Sequence, residues 1–467
     1  MQALFSHENV LTNKTRTMIN KINAVLACLT AALTLSSCLG GDDDTEYTFY
    51  DDAAITSITL GTLNKYLPDD KGVITKTTYS GSTYKFNIDQ EQGLIFNPDS
   101  LPYGTDAEHV ITLISAMNNG VITVKNTDDN EYYYYVSTDS LNLTTERQLR
   151  IYSQSNKYYR DYTLKLNVHK EDGEAFEWKS TTGTDGNSDI AALQGMKAVN
   201  LNGKVYLFGN NGAATAVYSS DQNDGSSWNA VTTNVTHEAE AYKNAVVAYD
   251  AIFILNGETL MRSTDGATWQ TVKETSGLSQ LVAASSWQLF GISASEGFMV
   301  SSDGGNTWVV DAMEEGNDAN IPMLTEGFTC RTLKTNAGTE QLMLMGKNNA
   351  NKTVAWTRLA DNNCNSYPWS LIEAIKETPQ LDAISVMSYD GKAMMIGLLE
   401  GKATDVLVSK DGGMNWAKDD KYKLPATITT PAFTSMVDNN NFIWLFYGQD
   451  GKVWRGRLNR LGWERQE

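Results

Sequence analysis

Carboxylates are the side chains of this chain with the greatest potential for chemistry. Two of them facing each other across a cleft can hydrolyse a glycosidic bond, one as the acid and the other as the base or nucleophile. The candidates in the C-terminal part of the chain are Glu238, Glu240, Glu314, Glu315, Glu373 and Asp382. Their spacing singles out no pair, and an excess of acids is expected in a chain whose formal charge is −19. Catalytic residues therefore stay unknown at this point.

Cysteine and histidine give little support for metal or redox chemistry. Of the four cysteines, Cys28 and Cys38 lie near the start of the chain. Cys330 and Cys364 could form a disulfide in an oxidising compartment, and two reduced, buried thiols are an equal alternative. The histidines after Cys38 lack the spacing of a zinc site. They are His109, His169 and His237. We expect neither a metal nor a cofactor.

A short stretch that ends in tryptophan recurs along the C-terminal part of the chain. Residues 301–308 read Ser-Ser-Asp-Gly-Gly-Asn-Thr-Trp, and residues 409–416 have the same spacing. Residues 263–269 are one residue shorter, and residues 220–228 are a longer relative. Recurrence every few tens of residues is typical of an array or a propeller. Strand-like runs lie before and after the copies, which predicts a turn between two antiparallel strands.

Each residue type in this stretch has a role that a turn would use. The aspartate can accept hydrogen bonds from backbone N–H groups two or three residues on, and glycine tolerates a positive φ. Hydroxyls can bind the remaining backbone groups, and tryptophan can bury its ring between neighbouring sheets. The residues predicted to act in this way are Asp221, Asp265, Ser301, Asp303, Gly305, Trp308, Ser409, Asp411, Gly413 and Trp416. We therefore predict that the aspartates of these turns stabilise the fold and take no part in catalysis or metal binding.

This pattern resembles the Asp-box, the bacterial neuraminidase repeat, whose form is Ser-x-Asp-x-Gly-x-Thr-Trp. Residues 301–308 match it at every position, and residues 409–416 match it with Asn415 in place of threonine. The resemblance implies a β-propeller with the boxes on its rim, far from any active site. Some Asp-box propellers are sialidases, which need an arginine cluster to bind the sialic acid carboxylate. The Arg-Ile-Pro signature of sialidases is absent and arginines are few, so sialidase activity is not expected.

Residues 1–37 are predicted to be a signal peptide, with Met18 as the true start. The apolar run at residues 22–35 is too short to span a membrane comfortably. It ends in Leu-Ser-Ser-Cys at residues 35–38, which resembles the lipobox of bacterial lipoproteins. That resemblance implies cleavage before Cys38 and a diacylglycerol on its sulfur. An ordinary secretory signal is the alternative.

The segment that follows is predicted to be a solvated tether. Residues 38–46 combine a glycine pair with three consecutive aspartates, a composition that stays solvated rather than packing into a core. An acidic cluster in this place resembles the surface-export signal of lipoproteins in some Gram-negative gut bacteria. The resemblance favours an outer-membrane lipoprotein, and both the outer and the periplasmic face of that membrane stay open as the place of the folded domains.

The rest of the chain is predicted to be all-β and to form two domains. Short strand-like runs over residues 47–170 favour an immunoglobulin-like β-sandwich, although the cysteine pair of a true immunoglobulin domain is missing. Residues 171–467 are predicted to form a six-bladed β-propeller, in which six tryptophans, the last being Trp463, follow turns at about the length of a blade. The strand at residues 176–178 is expected to pair with residues 453–455 and close the ring.

Four consecutive tyrosines, Tyr132 to Tyr135, stand out in the first domain. In a strand, two of these rings face the core and two face outward. An exposed tyrosine could stack on a sugar ring. Packing of this edge strand against the next domain is the favoured alternative.

The acidic balance of the chain, with 56 acidic and 37 basic residues, argues against binding to nucleic acid or to anionic lipid. The layout of lipobox, tether, sandwich and Asp-box propeller resembles two-domain surface lipoproteins of gut bacteria. We therefore predict a lipid-anchored, monomeric recognition protein whose propeller binds a glycan or a protein ligand without catalysis. The alternatives are a glycoside hydrolase with acids in the propeller cleft and a structural subunit of an outer-membrane complex.

Overall fold

A computed structural model describes residues 49–69, 71–322, 329–373, 379–430 and 432–463, without the side chains of residues 329–331. The predicted signal peptide, Cys38 and the tether lie outside the described residues, as does the side chain of Cys330. Strands dominate the described chain, so the prediction of an all-β protein is confirmed. The one-turn helix α1 is Ser188–Ala191. The 3-10 helices are Met117–Asn119, Ala241–Asn244, Asp318–Asn320, Asp420–Tyr422 and Asn459–Gly462.

The first domain consists of two sheets and a separate hairpin. Its strands are β1 (Ile55–Leu60), β2 (Thr62–Pro68), β3 (Ile74–Ser80), β4 (Asn87–Asp89), β5 (Leu94–Phe96), β6 (Val110–Ala116), β7 (Val121–Lys125), β8 (Tyr132–Tyr134), β9 (Ser140–Leu141), β10 (Arg147–Tyr152) and β11 (Tyr159–Lys165). The smaller sheet has the order β1-β6-β9, and the larger has the order β4-β5-β11-β10-β7-β8. Both sheets contribute to one core, in which Ile58 and Leu60 cluster with Leu149, Ile151 and Leu164. The domain is therefore a sandwich, as predicted.

The run of tyrosines lies on β8, at the edge of the larger sheet. Tyr135, the residue after β8, packs against the core, and its hydroxyl donates to the carbonyl oxygen of Thr112. Tyr134 lies on the opposite face and is 79% exposed. The expected alternation is present, but the expectation that the outward rings pack against the next domain is wrong for Tyr134.

The second domain begins with β12 (Phe176–Ser180), and its described residues form six sheets. The strands of the first three sheets are β13 (Gly195–Leu201), β14 (Lys204–Asn210), β15 (Thr215–Asp221), β16 (Asn229–Ala230), β17 (Val246–Ala248), β18 (Ala251–Asn256), β19 (Thr259–Ser263), β20 (Gln270–Lys273), β21 (Gln280–Ala284), β22 (Leu289–Ser293), β23 (Gly297–Ser301) and β24 (Val309–Val310). The strands of the other three are β25 (Thr329–Lys334), β26 (Glu340–Lys347), β27 (Thr353–Ala360), β28 (Ser370–Leu371), β29 (Ala383–Tyr389), β30 (Lys392–Leu399), β31 (Lys402–Ala403), β32 (Leu407–Ser409), β33 (Ala417–Lys418), β34 (Phe433–Val437), β35 (Ile443–Tyr447) and β36 (Val453–Leu458). Each sheet is an antiparallel set of four strands, with β31 as an extra strand in the fifth.

The ring of sheets closes because β12 joins the last sheet. Phe176 of β12 lies opposite Leu458 of β36, and Ser180 lies opposite Trp454. The first strands of successive sheets lie side by side around a common axis, and β34 of the sixth sheet lies beside β13 of the first. This pairing agrees with the closure predicted from the sequence. It removes the open sheet edges at which a linear stack would pair with other chains.

Apolar side chains between neighbouring sheets hold the ring together. Phe290 and Phe298 of the third sheet pack against Trp369, next to the last strand of the fourth, with ring centroids 5.7 Å and 4.9 Å away. Trp228 of the first sheet packs in the same way on Trp444 of the sixth, at 6.3 Å. Large aromatic rings buried in this manner are among the strongest contributors to a core.

Trp463 does not follow a turn inside a blade, so that prediction is wrong. It comes after the last 3-10 helix and stacks on His169, at the end of the first domain, with ring centroids 3.3 Å apart. The corresponding place in the sixth sheet is taken by Trp178 of β12, whose indole N–H donates to the carbonyl oxygen of Lys423 at 2.9 Å. Trp463 thus belongs to the junction between the domains.

Candidate functional site

A cavity of about 960 Å³ lies on the axis of the propeller and is the candidate site. It is lined by the first strands of five sheets (β13, β17, β21, β29 and β34) and by the end of β25 in the fourth sheet. Ligand-binding cavities in proteins commonly measure about 300–1,000 Å³. The cavity is therefore large enough to take a small molecule or one end of a larger ligand.

The propeller has two faces, which are named here by the direction of its first strands. The linker face is where those strands end in hairpins, such as Asn202-Gly203 with φ values of 50° and 75°. At this face Arg460 donates to Glu174 of the linker and to Asp390, in the matching hairpin of the fifth sheet. The upper face is where the first strands begin. The first domain therefore connects to the linker face and leaves the upper face on the far side.

Three aspartates line the cavity, and two of them are held in structural contacts. Asp390 accepts from both terminal nitrogens of Arg460 at 2.7 Å and 2.6 Å, and Lys392 lies 3.2 Å away. Arg460 and Lys392 together hold its pKa below the usual range. Asp438 accepts from two backbone N–H groups at 2.9 Å and from the indole N–H of Trp444 at 2.8 Å. Neither carboxylate is placed to transfer a proton to a ligand.

Asp382 is the third aspartate, and it lies at the upper-face end of the cavity. Its side chain is exposed and accepts one hydrogen bond, from the backbone N–H of Glu400 at 2.7 Å. Of the six acids named from the sequence, it is the one that the described cavity lining includes. Glu240 binds Lys243 at 2.7 Å, and Glu314 accepts from the backbone of Leu371 at 3.2 Å. Of the carboxylates in the described lining, Asp390 and Asp438 are engaged in other contacts, which leaves Asp382 as the one candidate for the pair that two-acid hydrolysis needs.

Four lysines line the cavity, which the sequence did not indicate. They are Lys197, Lys243, Lys334 and Lys347. The Lys197 ammonium donates to the carbonyl oxygen of Lys243 at 3.0 Å, and the Lys243 ammonium is paired with Glu240. Lys347 ends β26 at the upper face and is half-buried. A chain with a formal charge of −19 therefore has, in its cavity lining, one more lysine than aspartate.

The tryptophan turns lie at the linker face and outside the described cavity lining. In the turn at residues 301–308, Ser301 donates to Asp303 and accepts from the Gly305 N–H, both at 2.8 Å. Asp303 accepts from the Thr307 N–H at 2.9 Å and from its hydroxyl at 2.7 Å. The indole N–H of Trp308 donates to the Gly305 carbonyl oxygen at 3.1 Å. The side chains of Ser301, Asp303, Thr307 and Trp308 thus all make hydrogen bonds inside the turn.

The turn at residues 409–416 repeats the contacts of the serine, aspartate and glycine, although the indole N–H of Trp416 has no hydrogen-bond partner among the described residues. Ser409 donates to Asp411 and accepts from the Gly413 N–H, both at 2.8 Å. Asn415 takes the place of threonine, because its side-chain N–H donates to Asp411 at 2.7 Å. Trp416 packs against the apolar cluster between the fourth and fifth sheets. The substitution of asparagine for threonine therefore preserves the turn.

Hydrogen bonds within the turns keep Asp265 and Asp303 ionised. The Thr268 and Ala267 N–H groups and Ser263 lower the pKa of Asp265 to about 2. At Asp303, slight burial opposes the effect, but the bonds from Thr307 and Ser301 still lower its pKa. In the longest copy, Asp221 accepts from the backbone N–H two residues on, at 2.8 Å. A carboxylate stabilised in its charged form fits an architectural role better than that of a proton donor.

A related turn at Asp361 was missed by the sequence analysis. The carboxylate accepts from the Asn365 N–H at 3.0 Å, from its side-chain N–H at 2.7 Å and from the Tyr367 hydroxyl at 2.9 Å. These bonds lower the pKa of Asp361. Leu359 stands where the motif has serine, and no Gly-x-Thr-Trp follows at the usual distance, so the motif is unrecognisable by spacing alone.

The cysteine and metal predictions can be followed only in part. Cys364 has no disulfide partner among the described side chains, and its Sγ lies 3.8 Å from the carbonyl oxygen of Trp287. The side chain of Cys330 lies outside the described residues, so the disulfide stays a prediction. In the part of the chain that the structure covers, no three histidine, cysteine or acidic side chains gather as metal ligands. None of the described helices is long and apolar enough to span a membrane.

Comparison with solved structures finds other proteins of similar outline at low identity. YCF48 from Cyanidioschyzon merolae is 14% identical, with 60% of this chain and 98% of that chain covered and a TM-score of 0.33. The SapL1 lectin in complex with alpha methyl fucoside is 9% identical over 56% and 92% of the two chains, with a TM-score of 0.37. The Trypanosoma rangeli sialidase is 12% identical over 61% and 59%, with a TM-score of 0.35. Similarity at this level says nothing about what this chain binds.

Comparison with curated proteins gives no significant match. Two family descriptions match the sequence itself. Residues 58–166 match the N-terminal domain of a domain of unknown function, DUF6242, and residues 172–466 match the DUF6242 beta propeller domain. The second match covers more than half of the chain and agrees with the ring of sheets described above. The chain is therefore a member of the DUF6242 family, with the N-terminal domain and the β-propeller of that family in order.

Proposed function

We propose that this protein is a recognition protein whose propeller binds a glycan or a protein ligand at the upper-face end of the axial cavity, without catalysis. The observation that carries the proposal is the cavity of about 960 Å³, whose polar lining includes Lys197, Lys243 and Lys347 towards the upper face. Convergent polar side chains in a concave site are what orient a ligand. The upper face lies opposite the linker, so a large ligand can approach it.

The rival function is glycoside hydrolysis, and the state of the lining acids argues against it. Two carboxyl groups about 5–10 Å apart are needed, one of them protonated at working pH. Asp390 is held by Arg460 and Lys392, and Asp438 is held by its own turn and Trp444. Asp382 is left as a single candidate. Binding is therefore the better-supported function, and hydrolysis becomes one outcome of the test below.

We also propose that the tryptophan turns are Asp-boxes with a purely architectural role. Their serine, aspartate and glycine form a closed set of hydrogen bonds, and the glycines have positive φ values of 95° at Gly305 and 103° at Gly413. A Cβ at Gly305 would come within 2.3 Å of Leu260 in the neighbouring sheet. The glycine of each of these two turns therefore packs directly against the preceding sheet, where a larger residue would not fit.

Exchange of one cavity lysine tests the binding function. Lys347→Glu places an anion in a half-buried position among the other lining lysines, so we expect binding to a captured ligand to weaken at least about tenfold. The measurement is capture from a glycan array and from surface extracts, followed by titration with the ligand found. Lys402→Glu makes the same charge change on an exposed strand outside the described cavity lining, and it should bind like wild type.

Two results would reject this function. One is a captured ligand that binds both variants equally. The other is a polysaccharide that the wild-type protein cleaves and the Asp382→Asn variant does not, which would establish the hydrolase instead.

The proposed location is the outer membrane, with a lipid on Cys38 and the folded domains exposed to the outside as a monomer that does not bind nucleic acid. The support is the lipobox-like sequence at residues 35–38 and the acidic tether after it. Cys38→Ala is expected to shift the protein from the membrane fraction to the soluble fraction, since the thioether to the lipid cannot form. Cys364→Ala is the matched control and should stay in the membrane fraction. Added protease should degrade the wild-type domains on intact cells, and full protection would contradict surface exposure.

A further inference from the structure

The outer face of the larger sheet in the first domain has a cluster of tyrosines around one arginine. Arg150 lies in β10, opposite Thr123 of β7 and Asp161 of β11, and Thr123 in turn lies opposite Tyr134 of β8. Residues directly opposite each other in an antiparallel sheet share a face. Tyr134 and Arg150 are therefore on the same side of the sheet. Leu149 and Ile151, the sequence neighbours of Arg150, lie on the opposite side and pack in the core.

Three more tyrosines complete this surface, which we call the tyrosine platform. Tyr132 is two residues before Tyr134 on the same strand, and Tyr152 and Tyr159 are a directly opposed pair on the two central strands. The rings of Tyr152 and Tyr159 have centroids 5.9 Å apart. The Arg150 guanidinium carbon lies 4.5 Å from the ring centroid of Tyr132 and 4.1 Å from that of Tyr159. The Arg150 guanidinium therefore lies between the rings of Tyr132 and Tyr159 and contacts both.

The arginine at the centre of the platform is fixed and its charge is balanced. Its Nε donates to Asp161 at 2.7 Å, and a terminal nitrogen donates to the same carboxylate at 2.9 Å. Asp161 raises the pKa of Arg150 through this bidentate contact. An arginine held in a fork and stacked between two rings loses little further freedom when a ligand arrives. The platform is therefore preorganised and carries a neutralised pair at its centre.

Two of the four platform rings are open to solvent, and the other two are half-buried. The exposed fraction is 79% for Tyr134 and 57% for Tyr159, whereas Tyr132 and Tyr152 are half-buried. A cluster of exposed aromatic rings on one face is uncommon on a monomer and marks an interaction surface. Tyrosine offers an apolar ring for stacking and a hydroxyl for hydrogen bonding.

We propose that the tyrosine platform is a second binding site, for a neutral polysaccharide, distinct from the cavity of the propeller. The C–H faces of sugar rings stack on exposed aromatic rings, and sugar hydroxyls can bond to phenols, to the Asp161 carboxylate and to the remaining Arg150 N–H groups. The balanced Arg150–Asp161 pair gives no reason for an anionic ligand to bind, and the overall charge of −19 repels one. A flat, extended ligand fits a sheet face better than a small molecule, which needs a concave site.

Affinity electrophoresis of the full chain tests the second site. One set of native gels would each contain a neutral soluble polysaccharide, namely glucan, xylan, mannan or galactan. A second set would contain the carboxymethylated, anionic form of the same polysaccharide. We expect retardation by at least one neutral polymer and weaker retardation by its charged form. Tyr134→Ala/Tyr159→Ala should weaken binding at least about tenfold, whereas Tyr159→Phe keeps the ring and most of the affinity.

Two controls keep the test independent of folding and of the propeller site. Tyr103→Ala removes a tyrosine that is 38% exposed in the same domain but outside the platform, and it should bind like wild type. Lys347→Glu should leave platform binding unchanged, so failure of the propeller function and failure of this one are distinguishable. The proposal is overturned by no neutral polymer retarding the chain, by equal retardation of the double alanine variant, by a preference for the charged polymers, or by capture of a protein alone.

Discussion

Arg358→Leu is expected to lower the unfolding free energy by about 3–5 kcal/mol, because it leaves a buried carboxylate without its partner. The Arg358 and Asp311 side chains are 0% and 1% exposed, with Nε and Oδ2 2.7 Å apart. A terminal nitrogen of Arg358 donates to Asp311 at 3.0 Å, and the indole N–H of Trp369 donates to the same carboxylate at 2.9 Å. Burial raises the pKa of Asp311 and the bonds from Arg358 oppose that rise. Without the arginine, these bonds no longer offset the effect of burial on the Asp311 carboxylate.

The measurement is urea unfolding followed by tryptophan fluorescence, since Trp356 and Trp369 are buried next to this pair. The double variant Asp311→Leu/Arg358→Leu should recover most of the loss, because a buried ion pair can often be replaced by apolar side chains at little cost. Arg150→Leu is the matched control, because its partner Asp161 is 44% exposed and exposed pairs contribute about 0–1 kcal/mol. A single Arg358→Leu variant as stable as Arg150→Leu would contradict this account.

His237→Phe is expected to remove a loss of stability that the wild-type protein suffers in mild acid. The imidazole is 1% exposed and packs edge to face on Trp269, with ring centroids 4.7 Å apart. Neither ring nitrogen has a hydrogen-bond partner among the described residues. Burial therefore lowers the pKa of His237 to about 4. In the unfolded chain the ring takes up a proton near pH 6.5.

Between these two values the unfolded chain binds more protons than the folded chain. The stability of the wild-type protein should therefore fall as the pH falls from about 6.5 to about 4, by about 3 kcal/mol in all at about 1.4 kcal/mol per pKa unit. His237→Phe keeps the aromatic contact and cannot titrate, so its stability should lack this fall. Urea unfolding at pH 7, 5.5 and 4.5 would measure the difference.

Asp265→Asn is the control for this pH window. The pKa of Asp265 is lowered to about 2, so its stabilisation is present above its unfolded pKa of about 4 and is lost only at lower pH. The asparagine variant should therefore keep the same decline between pH 6.5 and 4 as wild type. Parallel pH profiles for wild type and His237→Phe would show that the buried ring does not titrate as described.

The propeller could be predicted because its signals are local. The hydrogen bonds of Asp303 and Asp411 run to residues two to four positions away. The spacing of the motif is therefore enough to predict the turn. The Asn202-Gly203 and Asp390-Gly391 hairpins are equally local, since both residues adopt positive φ. Closure through β12 was predicted for a different reason, which is that an unpaired strand at each end of the repeat needs a partner.

The candidate site could not be predicted because it depends on which strands meet around the axis. Lys197 and Lys347 belong to the first and fourth sheets and line one cavity only because the ring of sheets closes around the axis. The pair of Arg358 and Asp311 also depends on tertiary packing, because the two residues lie in neighbouring sheets. The sequence also missed the hairpin of β2 and β3, whose side chains are exposed or half-buried along most of both strands and show no apolar alternation. Trp463 was misassigned because spacing alone cannot separate a turn tryptophan from one that follows the last blade.

The most direct test of the central claim is to follow the chemical fate of the ligand that Lys347→Glu fails to bind. Purified protein and captured ligand would be titrated by calorimetry, and the ligand would then be recovered and sized after prolonged incubation. This account predicts saturable binding and a ligand of unchanged length. A shortened ligand, with the shortening lost in Asp382→Asn, would contradict it.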